Sequence, residues 1–88
     1  MKWRVTIKKK VTKALSKMDV RDSTKILKFI HETLSTLENP RQSGKSLNGN
    51  LTGYWRYRVG DFRLVCEIHD DELVIVAVDI GHRREIYR

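Results

Sequence analysis

The chain has 88 residues, 40% hydrophobic and 33% charged, and eighteen Lys and Arg against eleven Asp and Glu give a net charge of +7. This composition is too apolar for a disordered segment and too charged for a membrane protein, and the length suits a single domain spanning residues 1–88. A small basic domain is typical of proteins that bind polyanions, either nucleic acid or acidic protein, although a basic surface can also serve solubility alone.

The cysteine content and the N-terminal residues indicate a cytoplasmic protein. Cys66 is the single cysteine, so an internal disulfide is impossible, and its apolar neighbours predict a small buried side chain. Lys2, Arg4 and the three lysines at residues 8–10 interrupt any apolar N-terminal run, so we expect no signal peptide. No apolar stretch approaches the length of a membrane span, and we expect no membrane partner.

The N-terminal half predicts one strand followed by two helices. Alternating apolar positions over residues 3–7 indicate a strand with one buried face, and helical spacing then runs over residues 9–18. Asp19 or Asp22 can cap the second helix, which the Asn39-Pro40 pair is expected to end. The apolar stripe of this second helix consists of Ile26, Leu27, Ile30, Leu34 and Leu37.

The C-terminal half predicts strands after a polar connection over residues 39–53. Strand patterns cover residues 54–59, 62–69 and 72–80, separated by two-residue turns at Gly60-Asp61 and Asp70-Asp71. Residues 74–80 are apolar on both faces apart from one aspartate, which favours a central strand. The order of elements predicts an α+β fold, in which an N-terminal strand and a two-helix hairpin precede a three- to four-stranded, mostly antiparallel sheet.

The first of these turns predicts which side chains share a face of the sheet. A two-residue turn at Gly60-Asp61 pairs Arg58 with Arg63 directly opposite, and side chains alternate between faces along each strand. One face of the hairpin is then apolar and is expected to pack beneath the helices; it carries Trp55, Tyr57, Val59, Phe62, Leu64 and Cys66. The other face carries three arginines, Arg56, Arg58 and Arg63, which we call the arginine face.

The arginine face predicts a phosphate site. Like charges directly opposite each other destabilise a sheet, and arginine cannot relieve the repulsion by losing its proton. A bound anion does relieve it, and guanidinium groups match phosphate oxygens in pairs. Two alternatives stay open: the arginines splay into solvent, or nearby carboxylates neutralise them. The candidate carboxylates are Asp61, Glu67 and Asp79.

The C-terminal tail, GHRREIYR over residues 81–88, holds a second group of basic side chains. If the last strand pairs with residues 62–69, the tail emerges near the Gly60-Asp61 turn and its basic residues approach the arginine face. Tyr87 can stack on a base, and histidine, present here as His82, is the side-chain type that can exchange a proton near neutral pH. The alternative is a frayed cationic terminus. The basic residues of the tail are His82, Arg83, Arg84 and Arg88.

Two stretches together, YWRYRVGDFRLVCEI (residues 54–68) and DIGHRREIY (residues 79–87), resemble the RelE/ParE superfamily of bacterial toxin–antitoxin toxins, and within it the RelE branch. The resemblance extends over nearly the whole chain. It implies an enzyme that enters the ribosomal A site and cuts messenger RNA there without a metal or other cofactor. The ribose 2′-hydroxyl attacks the adjacent phosphate, and a cognate antitoxin neutralises the toxin.

The resemblance also implies roles for particular residues. The basic positions of the first hairpin strand fall on Arg56 and Arg58 and, with Arg84, are expected to bind RNA. Arg63 and Arg83 are expected to hold the scissile phosphate, so the implied catalytic residues are Arg63, His82, Arg83 and Tyr87. Some members carry lysine on the first hairpin strand, and an arginine cannot serve as a base, so His82 is the natural candidate for proton transfer.

Other functions remain as alternatives. ParE-type relatives are described as inhibitors of DNA gyrase, a protein-binding activity with no chemistry of its own, and a plain nucleic-acid-binding module is a third possibility. The spacing of Cys66 and of the three histidines, His31, His69 and His82, does not suggest a zinc site. Asp70 and Asp71 are expected to form a turn and not a catalytic carboxylate pair.

Overall fold

The computed structural model describes residues 3–47 and 53–82. The strands are β1 (Arg4–Ile7), β2 (Lys45–Ser46), β3 (Trp55–Val59), β4 (Phe62–His69) and β5 (Val74–His82). The α-helices are α1 (Lys9–Ser16) and α2 (Val20–Lys28); a π-helical turn (Phe29–Thr33) and a 3₁₀ turn (Leu34–Thr36) extend α2, and another 3₁₀ turn (Pro40–Gln42) precedes β2. No helix in these two ranges is long and apolar enough to cross a membrane.

The five strands form one mixed sheet in the order β1-β5-β4-β3-β2. β1 runs parallel to β5, and the other neighbouring pairs are antiparallel. The predicted α+β architecture is confirmed, and β5 lies inside the sheet as its apolar sequence predicts. The sheet has one strand more than the sequence predicts because β2, only two polar residues long, lies within the polar connection and has no strand pattern of its own.

Both helices pack against one face of the sheet, because each carries its buried side chains on one side. α1 contributes Val11 and Leu15 to the core, and α2 contributes Ile26. Asp19 is the residue that caps α2, since its carboxylate accepts a hydrogen bond from the backbone N–H of Arg21 at 2.9 Å. The sheet therefore has a covered face beneath the helices and an open face on its other side.

The predicted stripe of the second helix is correct except for Leu27, which is 36% exposed. Ile26 points directly into the core, and the next residue lies about 100° further around a helix. Leu27 therefore turns towards solvent, while Ile30 and Leu34 follow Ile26 into the core with no exposed surface.

The helical segment also ends earlier than the sequence predicts. Leu37 is already extended, with ψ near 138°, so the segment stops before the Asn39-Pro40 pair. The side chain of Asn39 instead accepts a hydrogen bond from the backbone N–H of Arg41 at 3.0 Å and caps the following 3₁₀ turn. Asn39-Pro40 thus starts a new helical turn, because proline suits the first position of a helix.

The two predicted hairpin turns differ in outcome. The Gly60-Asp61 turn is confirmed, since Val59 pairs with Phe62. Gly60 has φ of 60°, a left-handed conformation that glycine adopts with little steric strain because it has no Cβ. The two-residue turn at Asp70-Asp71 is wrong, because His69 pairs with Val74 and the connection has four residues.

The longer connection between β4 and β5 is held by an ion pair. Arg41 donates from both terminal nitrogens to the two carboxylate oxygens of Asp70, at 2.8 and 3.0 Å. These hydrogen bonds hold the pKa of Asp70 below its ordinary value. The pair ties the connection after β4 to the 3₁₀ turn that precedes β2.

Gly44→Ala should destabilise the protein by about 2–4 kcal/mol, because the site combines backbone strain with a steric clash. Gly44 has φ of 78°, and a Cβ there would strike the backbone carbonyl of Arg56 and lie 2.8 Å from Nε1 of Trp55. Urea denaturation of the variant and the wild type measures the difference.

Gly53→Ala is the matched control for this prediction. Gly53 has φ of 97°, yet nothing in the described part of the chain lies within 4 Å of the added Cβ. The control should therefore lose only the strain contribution, about 1–2 kcal/mol. Equal losses in the two variants would contradict the clash at Gly44.

Candidate nucleic-acid interface

The register of the β3–β4 hairpin confirms the predicted division of its side chains. Arg56 pairs with Val65, Tyr57 with Leu64, and Arg58 with Arg63. Tyr57, Val59, Leu64 and Cys66 are buried beneath the helices, and Trp55 and Phe62 pack against that core. Arg56, Arg58 and Arg63 therefore share the open face of the sheet.

Arg63 differs from the other arginines of this face because it is only 7% exposed. It is the one charged or polar residue among residues 3–47 and 53–82 that is buried to this extent. The residue opposite Arg63 on β5 is Gly81. Because glycine has no Cβ, the space beside the Arg63 side chain is not filled from that strand. A buried guanidinium interacts with an anion more strongly than an exposed one, because less water screens its charge.

Two of the carboxylates that the sequence offered as neutralising groups have other partners. Glu67 contacts Nε2 of His69 at 2.9 Å. Asp79 contacts Nζ of Lys10 at 3.5 Å and also accepts the backbone N–H of Ile80 at 2.8 Å. These contacts make Glu67 and Asp79 less available to the arginines.

A β-bulge in β5 decides on which face of the sheet its last residues lie. Cys66 pairs with Ala77 and Val65 with Asp79, so Val78 has no residue opposite it on β4. Because side chains alternate along a strand, this extra residue reverses the faces of everything that follows it in β5.

His82 consequently lies on the helix side of the sheet and not on the arginine face. It pairs with Phe62, and the two rings meet edge to face with centroids 5.6 Å apart. Lys25 of α2 joins them in lining a cavity of about 160 Å³ beside the Gly60-Asp61 turn. The structure thus brings His82 close to the turn, as the sequence predicts, but separates its side chain from Arg63 by the sheet.

Arg83, Arg84 and Tyr87 lie outside the described residues, so their predicted roles stay predictions. The described part of the chain ends at His82, opposite Phe62 and next to the turn.

Lys45 is a cation of the open face that the sequence pattern does not reveal, because it lies within the polar connection. Lys45 pairs with Arg56 in the sheet and so adds a cation directly beside the arginine face. Trp55 and Tyr57 hold the connection in place: Trp55 Nε1 donates to the carbonyl of Ser43 at 2.6 Å, and the Tyr57 hydroxyl donates to that of Pro40 at 2.7 Å. The only sequence signals were these two aromatic residues with polar tips, which seek a partner when buried.

Cys66 and Tyr57, the two buried titratable groups that the structure describes on the covered face, stay protonated near neutral pH. Burial raises the pKa of the Cys66 thiol to about 12, so almost no thiolate forms near neutral pH. Burial likewise raises the pKa of Tyr57. Cys66 is therefore the small core side chain that the sequence predicts.

Comparison with known proteins places this architecture among toxins. The family model for the ParE toxin of type II toxin–antitoxin systems, parDE, matches residues 2–87. Toxin RelG of Mycobacterium tuberculosis is 32% identical over 74 residues, which cover 84% of this chain and 83% of RelG.

Two solved toxin–antitoxin complexes contain similar chains. The RelBE2 complex of M. tuberculosis aligns with a TM-score of 0.85 and 26% identity, covering 94% of this chain and 93% of the other. The archaeal RelE–RelB complex of Pyrococcus horikoshii aligns with a TM-score of 0.73 and 28% identity, covering 94% and 97%. The chain belongs to the RelE/ParE superfamily of toxins from type II toxin–antitoxin systems.

Proposed function

We propose that this toxin is an endoribonuclease of the RelE branch, which cuts messenger RNA in the ribosomal A site without a metal ion. The observation that supports the proposal best is the arginine face, where Arg58 and Arg63 are directly opposed and Arg63 is almost fully buried. A phosphate of the RNA backbone bound between the opposed guanidinium groups would offset their mutual repulsion, and guanidinium forks match phosphate oxygens in pairs.

In the proposed reaction, the 2′-hydroxyl oxygen attacks the adjacent phosphorus while the bond to the 5′-oxygen breaks, leaving a 2′,3′-cyclic phosphate. Arg63 and Arg83 hold the scissile phosphate and stabilise the charge that builds on its oxygens. Arg56, Arg58 and Arg84 bind flanking phosphates. A well-placed donor contributes about 10²–10³ to such a rate, and positioning by the ribosome adds about 7 kcal/mol or more.

His82 and Tyr87 are the two candidates for proton transfer, and the register makes Tyr87 the one we propose, with His82 in a secondary role. Since its ring packs on Phe62 on the helix side, RNA on the arginine face reaches it only by passing the end of the sheet. We therefore expect His82→Gln to slow cleavage less than Arg63→Gln does, in single-turnover assays on programmed ribosomes. A loss in His82→Gln as large as that in Arg63→Gln, or larger, would instead identify His82 as the general base or acid.

We also propose a cognate antitoxin as the protein partner. The support comes from two similar chains, in the RelBE2 and archaeal RelE–RelB structures, that were solved with antitoxins. Growth arrest on expression of the chain, relieved by co-expression of an antitoxin, would be the cellular sign of this pairing.

A gyrase inhibitor of the ParE type is the second candidate, because the family model that matches the chain is that of ParE toxins. Such a protein has no need of opposed arginines on an open sheet. Two assays run side by side separate the candidates: primer extension on translated messenger RNA and supercoiling by DNA gyrase. We expect new cleavage ends within codons and undisturbed supercoiling.

Arg83→Ala completes this test. It should abolish the cleavage ends while the variant still folds and binds its antitoxin. Inhibition of supercoiling together with an intact messenger RNA would reject the nuclease in favour of the gyrase inhibitor.

A further inference from the structure

The positive charge of the chain is concentrated on the helical hairpin and not on the arginine face. Residues 8–28 contain eight basic and two acidic side chains, so this quarter of the chain carries +6 of the total +7. Seven of the eight basic residues are lysines, and all eight are exposed. Of the eight, Lys10 alone forms an ion pair within the described ranges.

The lysines of α1 form a continuous surface on the side of the helix away from the core. Lys9, Lys13 and Lys17 follow one another at intervals of four residues, which is about one helical turn or 6 Å. Val11 and Leu15 occupy the opposite side and are buried against the sheet. We call Lys9, Lys13 and Lys17 the lysine face.

We propose that the lysine face binds the phosphate backbone of an RNA duplex, as a second RNA surface separate from the arginine face. A DNA duplex carries about one negative charge per 1.7 Å of its axis, and an RNA duplex is at least as densely charged. Lysines one helical turn apart can therefore each reach a phosphate without matching an exact spacing. Lysine suits this task because its ammonium group is a hydrated point charge, whereas the forked arginines of the sheet suit a single oriented phosphate.

The chemistry of α1 favours RNA over an acidic protein as the occupant. The exposed residues between the lysines are Thr12 and Ser16, and no apolar side chain accompanies them on this side of the helix. Stable protein interfaces depend on buried aromatic, apolar or arginine anchors and are depleted in lysine at their centres. The lysine face offers no such anchor.

The two basic surfaces lie on opposite sides of the protein, since α1 covers one face of the sheet and the arginines project from the other. A chain with both surfaces can contact two RNA segments at once. The inference does not depend on nuclease activity; where the proposed function also holds, ribosomal RNA supplies the duplex.

Binding of the purified chain to an RNA duplex of about 20 base pairs tests the inference, since this length exceeds the roughly 16 base pairs that a duplex-RNA module contacts. Fluorescence anisotropy over a salt series gives the affinity and its salt dependence. The triple variant K9Q/K13Q/K17Q should bind at least about tenfold more weakly, with a log–log salt slope shallower by about 2–3. Circular dichroism checks that it folds.

A control variant, R4Q/R21Q/K28Q, removes the same charge from exposed positions outside both the lysine face and the arginine face and should lose much less affinity. Equal losses in the two variants would overturn the inference, because net charge alone would then govern binding. Unchanged binding of the RNA duplex by K9Q/K13Q/K17Q would overturn the inference too. The same variant is also tested against a polyglutamate peptide. If it loses affinity for this peptide but not for the RNA duplex, the partner is an acidic protein and the inference is overturned.

The test also separates this inference from the proposed function. A wild-type chain that fails to cut messenger RNA on the ribosome, yet binds the duplex through its lysines, rejects the nuclease and supports the lysine face.

Discussion

Arg63→Gln should lower the rate of messenger RNA cleavage on the ribosome by about 10²–10³, the effect of losing one oriented donor to a developing anion. Arg63 is 7% exposed and faces Arg58 across the hairpin, so its guanidinium is held in place before RNA binds. Arg63→Lys should also lose most of the activity, because it keeps the charge but not the planar fork. Single-turnover cleavage of messenger RNA on programmed ribosomes measures both rates.

Arg4→Gln provides the control for this prediction. Arg4 is exposed on the same face of the sheet but lies on β1, two strands away from Arg63 on β4, and its substitution removes the same charge. It should keep close to wild-type activity. Thermal denaturation of every variant separates a lost contact from a lost fold. Equal activities of Arg63→Gln and Arg4→Gln would contradict the assignment of Arg63 to the phosphate.

Leu34→Ala should destabilise the protein by about 2–5 kcal/mol, because it removes a fully buried side chain and leaves a cavity. Leu34 has no exposed surface and lies in the core beneath the sheet. The free energy of unfolding from urea titrations measures the loss.

Leu27→Ala is the matched control, since the same leucine side chain is removed from the same helical segment. Leu27 is 36% exposed, so its loss should cost about 1 kcal/mol or less. Similar losses at positions 27 and 34 would mean that Leu27 is buried after all, as its place in the apolar stripe suggests.

Periodicity predicts those elements whose burial repeats regularly along the chain. Alternation located β1, β3 and β4, and the spacing of Ile26, Ile30 and Leu34 located the second helix. It failed where a contact elsewhere in the chain decides the structure. β2 exists because Lys45 and Ser46 pair with β3, and two polar residues carry no pattern that reveals such pairing.

The arginine face was predictable because it depends on only two local rules. A two-residue turn fixes the register, and alternation then fixes which side chains face each other. The burial of Arg63 was not predictable, since it depends on residues that the fold brings around it. The face of His82 was also hidden, because the bulge falls on Val78, an ordinary strand residue that gives no sign of it in the sequence.

The unmatched Val78 gives this scaffold an unusual response to changes in length. In a variant lacking Val78, Asp79 would follow Ala77 directly and still lie opposite Val65, so simple alternation would resume with every later pair unchanged. His82 would therefore stay opposite Phe62 on the helix side. The strand can thus lose one residue at this point without moving the side chains that follow it to the other surface, whereas a deletion on either side of the bulge would shift them.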